Sequence, residues 1–152
     1  MLMSSNSFAA EARSRAGRLT INGDAAAITL RTKGEMEAAV GEIINRFERE
    51  SLGRGPRDVE AHLIGDLVVV RLRGVLSAPE QQLARARKGR DLLKQLRTHL
   101  FAKARPLLAT QVEEATGVKV TSMYHDISTV KGEEVVLFSL AETAYYRQAK
   151  SK

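Results

Sequence analysis

Two short runs of alternating residues, joined by a two-residue turn, constrain the fold of this chain most. Between residues 57 and 64, apolar and polar side chains alternate with the period of a half-buried strand. Gly65-Asp66 then suits a turn, and Leu67–Arg73 places Val68 and Val70 on one face. The pattern predicts a β-hairpin.

Helical spacing appears on both sides of this hairpin. Gly34–Glu50 has apolar residues at helical spacing and charged residues on its other face, which predicts an amphipathic helix. A second helical region is predicted from about Ala78 to Thr116, opened by a Ser77/Glu80 capping box in which each side chain satisfies an unpaired amide. Gly117 is a suitable left-handed cap for its end.

The long helical region contains signals for interruption. We expect a break or bend near Gly89, since Leu83 is out of phase with the later leucines, and Pro106 is expected to kink or divide the helix. The predicted apolar arc comprises Leu92, Leu93, Leu96, Leu100, Leu107 and Val112.

Two further strands complete the predicted fold. Val118–Tyr124 and Glu134–Leu140 are alternating or apolar, with a loop expected from about Asp126 to Gly132. We therefore predict an α+β fold of order α-β-β-α-α-β-β, with two β-hairpins forming one mainly antiparallel sheet and helices packed on one face. The apolar run Val135–Phe138 either fills the core or belongs to a homodimer or higher homo-oligomer that extends the sheet or buries its second face.

Length and composition restrict the domain organisation. The 152 residues suit one domain at 31–141, with tails at 1–30 and 142–152, and a short hairpin around Asn22-Gly23 is conceivable at 18–30. No apolar run approaches the roughly 18 residues that span a bilayer, and the first 17 residues lack the apolar core of a secretory signal. The chain has no cysteine, which excludes disulfides and thiolate chemistry. We expect a cytoplasmic protein, peripheral at most to the inner membrane face.

Positive charge is concentrated between residues 85 and 105, where the sequence has eight basic residues and a single acidic residue, Asp91. A helix would bring five of these residues into one stripe beside the apolar arc: Arg87, Arg90, Lys94, Arg97 and Arg105. The stripe is either a solvated face, the interpretation that we favour, or a contact surface for an anionic partner. Nucleic acid is the weaker candidate partner, because the segment offers only Phe101 for base stacking and no nucleic-acid-binding motif is present.

The string Gly53-Arg54-Gly55-Pro56 follows the first predicted helix. Its glycines could expose amides to an anion, with Arg54 adding a bidentate contact to phosphate or carboxylate. The structural interpretation is favoured, with Gly53 capping the helix, Gly55 in a turn and Pro56 leading into an edge strand. The string matches neither the Walker A nor the dinucleotide-binding pattern.

Catalytic and metal-binding patterns are not evident. The three histidines are separated by tens of residues, and His125-Asp126 is more typical of an exposed turn than of an acid–base pair. We expect no catalytic residue, metal or cofactor, and hence a binding or regulatory protein rather than an enzyme.

An ordered set of short strings is shared with one family: Thr32-Lys33-Gly34, Gly53-Arg54-Gly55-Pro56, Ala61–Gly65, Val68–Gly74, Ala78-Pro79-Glu80, Gly117-Val118-Lys119-Val120, and His125-Asp126-Ile127-Ser128 followed by Val136–Leu140. With this set the sequence resembles the bacterial MpsC-like proteins, a domain of unknown function, over about residues 31–140. The resemblance implies an accessory component associated, in some members, with a membrane-potential-generating, sodium-linked inorganic-carbon uptake system. By match to the motif, it points to Arg54 with its flanking glycines, Arg97 and Asp126.

The leading functional hypothesis is therefore a non-catalytic accessory protein that binds a membrane transport subunit through its basic helix or its Gly-Arg turn. The main alternative is a regulator that binds a small anion or nucleotide at residues 53–56. A nucleic-acid-binding protein is the weaker alternative.

Overall fold

The computed structural model describes residues 30–148, so the hairpin suggested at 18–30 lies outside the described residues apart from Leu30. Seven elements follow one another: α1 (Lys33–Leu52), β1 (Asp58–Ile64), β2 (Leu67–Arg73), α2 (Ala78–Leu83), α3 (Arg87–Thr116), β3 (Val120–Ser128) and β4 (Glu133–Leu140). The α+β class and the predicted element order are confirmed.

The four strands form one antiparallel sheet in the order β1-β2-β4-β3. The two hairpins therefore meet through β2 and β4, where Val68 lies opposite Phe138 and Val70 opposite Val136. These four side chains are buried on one face of the sheet, and α1 and α3 pack against this face. The core lies between the sheet and the helices.

Local capping signals explain where the helices begin and end. The Thr32 hydroxyl accepts from the Glu35 amide at 3.1 Å to start α1, and the Ser77/Glu80 capping box starts α2 with both of its hydrogen bonds present. Gly53 (φ 82°) ends α1 and Gly117 (φ 76°) ends α3, each in the left-handed conformation that a glycine adopts without steric cost.

The break in the long helical region lies at residues 84–86, slightly before the expected position at Gly89. Gly89 has a different role, since it is buried in the first turn of α3. A Cβ atom at this position would lie 1.8 Å from the Leu83 carbonyl oxygen. Glycine is therefore what allows the end of α2 to lie directly against α3.

The expectation that Pro106 divides the helical region is wrong, because α3 is a single helix of 30 residues with Pro106 inside it. Proline removes one backbone hydrogen bond and strains the preceding turn. The buried residues Leu93 and Phe101 precede Pro106, and Leu108 and Val112 follow it on the same side of the helix. Tertiary packing on both sides of the proline outweighs the local loss.

The apolar arc predicted for α3 is also partly wrong. Leu93 and Val112 are buried, but Leu92, Leu96 and Leu107 are 48%, 48% and 59% exposed. The helix carries two apolar rows roughly 100° apart, and only the row through Leu93 faces the core. The pattern did not reveal which of the two rows the sheet would cover.

The β3–β4 connection is shorter than expected, since Asp126–Ser128 belongs to β3 and the turn occupies residues 129–132. After β4 the chain returns to the start of α1, where Arg147 forms an isolated parallel bridge with Thr32 and pairs with Glu35 at 3.1 Å. Between residues 30 and 148 no helix is both long enough and apolar enough to cross a membrane.

Candidate functional site

Arg97 does not belong to the predicted exposed cationic stripe. Its side chain is 1% exposed and lies on the core side of α3. Its Nη1 donates to Glu134 Oε1 at 2.7 Å and to Glu48 Oε2 at 3.3 Å, while its Nη2 donates to Val75 O at 2.9 Å and to Glu80 Oε2 at 3.1 Å. One buried guanidinium thus joins α1, the segment after β2, α2 and β4.

His125 of β3 extends this buried polar cluster. Its ring stacks on Phe101 with a centroid separation of 4.1 Å and an interplanar angle of 17°. Its Nε2 lies 2.6 Å from Glu134 Oε2, so Glu134 bridges Arg97 and His125. We call Glu48, Glu80, Arg97, His125 and Glu134 the buried polar cluster.

The charges in the cluster are set mainly by burial. Burial and the neighbouring Glu134 raise the pKa of Glu48 to about 9, so Glu48 is neutral at pH 7 and its contact with Arg97 is a hydrogen bond rather than an ion pair. Burial lowers the pKa of His125 to about 4, so the ring is neutral and donates Nε2–H to Glu134. Burial also opposes the charge on Arg97, but the surrounding carboxylates outweigh it and raise its pKa.

Three members of the cluster are closed to solvent, since Glu48, Arg97 and Glu134 are 2%, 1% and 0% exposed, whereas the Glu80 side chain is 21% exposed. The Arg97 guanidinium occupies the space between the carboxylates. Within residues 30–148, no set of His, Asp and Glu side chains is arranged to hold a metal ion. The arrangement joins α1, α2, α3 and β4 through the hydrogen bonds of the buried Arg97 side chain.

Sequence reasoning missed this cluster, although a signal for it exists. Glu48 continues the buried row of Val40 and Ile44, and Arg97 lies four residues from Leu93 and from Phe101. Glu134 likewise continues the alternation of the buried residues in β4. Charged residues of opposite sign, each in phase with an apolar row, are the pattern of a buried ion pair.

The other predicted positions lie apart from the cluster. Arg54 is exposed in the turn after α1, and a Cβ on Gly55 would lie 2.7 Å from Asn45 Oδ1. Gly53 caps α1 and Pro56 leads toward β1, so the string has the geometry of a helix cap followed by a turn, as its structural interpretation predicts.

Lys94 pairs with Asp126 at 3.2 Å, and their side chains are 55% and 74% exposed. The amide of Ile127 and the Lys94 ammonium lower the pKa of Asp126. Such exposed pairs contribute about 1 kcal/mol or less. Arg54, Arg97 and Asp126 thus have different surroundings: the first is an exposed turn residue, the second is enclosed by carboxylates, and the third pairs with Lys94.

An exposed apolar row on α3 is the feature that sequence reasoning assigned to the core. Leu92, Leu96 and Leu107 are spaced to lie on one side of the helix. Leu83 of α2, 45% exposed, extends the row, because its Cγ lies against the Gly89 position one turn before Leu92. We call these four residues the leucine face.

Two exposed lysines lie in or beside the leucine face. Lys103 lies four residues before Leu107 and Lys88 four residues before Leu92, so both lie in or beside the same row, and both are exposed. Neither side chain forms an ion pair within residues 30–148. Single exposed leucines are common, but several exposed leucines on one side of a helix, with lysines among them, form an amphipathic surface suited to interaction.

A second apolar surface is the sheet face that the helices leave uncovered. The register places Val69, Leu137 and Tyr124 side by side across three strands. The charges near them are paired within the chain, Arg71 with Glu133 at 2.7 Å and Arg73 with Asp58 at 2.9 Å. This open sheet face is therefore apolar along one row and charge-compensated beside it.

The comparisons with known proteins place the chain in a family. The model of the family described as "Na+-translocating membrane potential-generating system (MpsC)" matches residues 32–142, which span all seven elements. The chain belongs to the MpsC family. Two relatives from Bacillus subtilis (strain 168), the uncharacterized proteins YbcI and YrhF, are each 31% identical to this MpsC-family chain. YbcI aligns over 110 residues, 72% of this chain and 89% of its own length, and YrhF over 101 residues, 64% and 80%. No solved structure matches.

Replacement of Arg97 tests the buried polar cluster. We expect Arg97→Met to lower the free energy of unfolding by about 3–5 kcal/mol, because carboxylates remain buried without their cation. The matched change Lys94→Met, one turn away, removes an exposed ion pair and is expected to cost about 1 kcal/mol or less. Urea denaturation measures both, and equal losses would show that the cluster adds no more than the surface pair.

The Glu48 carboxyl predicts a pH dependence of stability. Its folded pKa of about 9 lies above the ordinary value of 4.5, so folding takes up a proton between these values and stability falls as pH rises. His125, with a folded pKa of about 4 against 6.5, has the opposite effect only below pH 6.5. Between pH 6.5 and 9 the Glu48 contribution therefore falls by up to about 1.4 kcal/mol per pH unit.

Glu48→Gln is the variant for this measurement, since it resembles the protonated side chain and cannot ionise. Urea denaturation at several pH values should show that the variant loses less stability than the wild type as pH rises through this window. A variant with the same slope as the wild type would show that Glu48 ionises normally in the folded protein.

Proposed function

We propose that this MpsC-family protein is a non-catalytic accessory component of a Na+-translocating membrane-potential-generating system and that it acts by binding a membrane subunit at the cytoplasmic side. The family match supports the system, and the leucine face of α3 supports the mode of action. The observation that carries the proposal is the row of half-exposed leucines with Lys88 and Lys103 beside it.

The position of the polar groups favours recognition over catalysis. Three members of the buried polar cluster are almost fully enclosed. Substrates do not reach such groups without unfolding. The surface instead presents apolar and cationic side chains, which are suited to binding a partner.

The chemistry of the leucine face favours one kind of partner. Burying the exposed part of each leucine contributes on the order of 1 kcal/mol, which makes the row a suitable anchor for an apolar groove or helix. Lys88 and Lys103 favour carboxylates around that groove, because opposite charges steer association and select the partner. The expected partner is thus an acidic, amphipathic segment of a membrane subunit.

A matched pair of variants tests the leucine face. Leu96→Glu/Leu107→Glu should weaken binding to the membrane subunit by at least roughly tenfold, since each change puts a carboxylate where the partner presents apolar and acidic groups. Gln95→Glu/Ala102→Glu adds two carboxylates at exposed α3 positions outside the row and should bind nearly as the wild type does. Site-specific cross-linking from position 96 identifies the subunit, and titration with that purified subunit measures the affinities.

Two outcomes would overturn the proposal. One is equal affinity of the leucine-face variant and the wild type for the subunit. The other is cross-linking from position 96 to proteins that belong to no Na+-translocating system. Circular dichroism confirms that each variant is folded, which is expected because the replaced leucines are about half exposed.

We also propose that two copies associate through the open sheet face. A two-fold axis would place the row of Val69, Leu137 and Tyr124 against its own copy. The adjacent Arg71 and Arg73 already have carboxylate partners within the chain, so burying this face leaves no cation unpaired. The leucine face stays free for the membrane subunit.

Light scattering after size exclusion tests this association. The wild type should elute with the mass of a dimer and Leu137→Glu with that of a monomer, because the new carboxylate would be buried against its symmetry mate. Gln82→Glu, an exposed change on α2, should remain dimeric. A monomeric wild type, or a dimeric Leu137→Glu, would contradict the proposed interface.

A further inference from the structure

A cationic cleft lies where five segments meet, at the end of the open sheet face that carries Arg73 and Glu133. It forms between the start of β1, the end of β2, α2, the first turn of α3 and the β3–β4 turn, and its volume is about 580 Å³. The basic residues in its lining are Arg57, Arg73, Arg85, Arg90 and Lys131. Glu133 is the acidic residue in the part of the lining that the structure describes.

The charges in the lining are only partly compensated. Glu133 is held by Arg71 at 2.7 Å, and Arg73 by Asp58 and Glu60. The remaining four cations (Arg57, Arg85, Arg90 and Lys131) form no ion pair within residues 30–148, although Arg90 Nη1 donates to the Ala84 carbonyl at 3.1 Å. Four uncompensated cations around one concavity produce a strong positive potential.

Backbone contacts join the segments that form the walls of this cleft. Gly74 has a φ of 64°, and a Cβ there would lie 2.7 Å from Arg57 Cβ, so β1 and the exit of β2 are in close contact. Val75 N donates to Gly132 O at 3.1 Å, which ties the exit of β2 to the β3–β4 turn. The buried Arg97 side chain donates to the carbonyl oxygen of Val75 at 2.9 Å and so fixes this segment from the core side. A site whose walls are already joined loses little entropy when a ligand binds.

The lining also indicates which anion fits. One guanidinium group can bind two phosphate oxygens at once, and a lysine ammonium adds a positive point charge. The volume is within the range of small-molecule sites, about 300–1,000 Å³, so it exceeds what one phosphate requires. The described lining contains no aromatic side chain for stacking a nucleobase. Recognition must therefore depend on the charge of the ligand.

We propose that this cleft binds an oligophosphate, either inorganic or as the phosphate chain of a nucleoside di- or triphosphate. Arg90 and Lys131 approach the ligand from α3 and the β3–β4 turn, Arg85 from the connection between α2 and α3, and Arg57 from the residue before β1. This site differs from the Gly53–Pro56 string considered for an anion from the sequence. It shares no residue with the leucine face, so this inference is independent of the proposed partner.

Calorimetric titration at constant ionic strength tests the cleft with inorganic triphosphate, ATP and orthophosphate as probes. We expect triphosphate and ATP to bind with affinities within roughly tenfold of each other, and orthophosphate to bind more weakly, because affinity follows the number of phosphates that the cations contact. Arg85→Gln/Lys131→Gln should weaken triphosphate binding by at least about tenfold.

Arg105→Gln/Lys119→Gln is the matched control, since it removes one arginine and one lysine that are exposed outside the cleft. It should leave triphosphate binding nearly unchanged. Equal losses in the two double variants would show non-specific attraction to a basic protein and overturn the site. Absence of triphosphate binding by the wild type, or binding of ATP without binding of triphosphate, would overturn it as well. Thermal melting without ligand confirms that both variants are folded.

Discussion

The guanidinium of Arg97 is the interaction on which the rest of this structure depends. A buried cation costs several kcal/mol to desolvate and is tolerated only where carboxylates and carbonyls surround it. Here Glu134, Glu80 and Val75 O supply these contacts from three different parts of the chain. Glu80 is also the residue that closes the capping box of α2, so one carboxylate both starts a helix and ties it to the core. The position of α2, the segment after β2 and the start of β4 are thereby coupled to α3.

The orientation of α3 has consequences for both proposed surfaces. Because Arg97 and Phe101 turn one side of α3 toward the sheet, Leu92, Leu96 and Leu107 turn toward solvent. The same guanidinium holds Val75 in place, and the glycine before it, Gly74, lines the cationic cleft. The buried polar cluster thus fixes which side of α3 faces the sheet and holds the segment that forms one wall of the cleft. A residue first considered for a binding role has a positioning role in the structure.

Local signals account for what could be predicted. The hairpin at residues 57–73, the amphipathic α1, the Ser77/Glu80 capping box and the glycine caps at Gly53 and Gly117 depend on neighbours within a few positions, and the structure contains all of them. The family resemblance is confirmed by a match over residues 32–142. The expectations that fail concern division of the helix at Pro106, the phase of the α3 arc and the exposure of Arg97. Each of them depends on what lies across the core, and a pattern along one chain does not contain that information.

The sequence by itself determined the α+β class, the order of the elements, the apolar and polar sides of α1 and the hairpin, and membership of the MpsC family. These depend on side-chain periodicity and on backbone preferences of single residues, which act over one or two turns or strands. Only the tertiary structure decided which of the two leucine rows of α3 is buried, and that Arg97 lies among carboxylates while Arg57, Arg85, Arg90 and Lys131 converge on a cleft. The reason is that charge and burial depend on distances between segments far apart in the chain, and these distances are set when the sheet and helices pack.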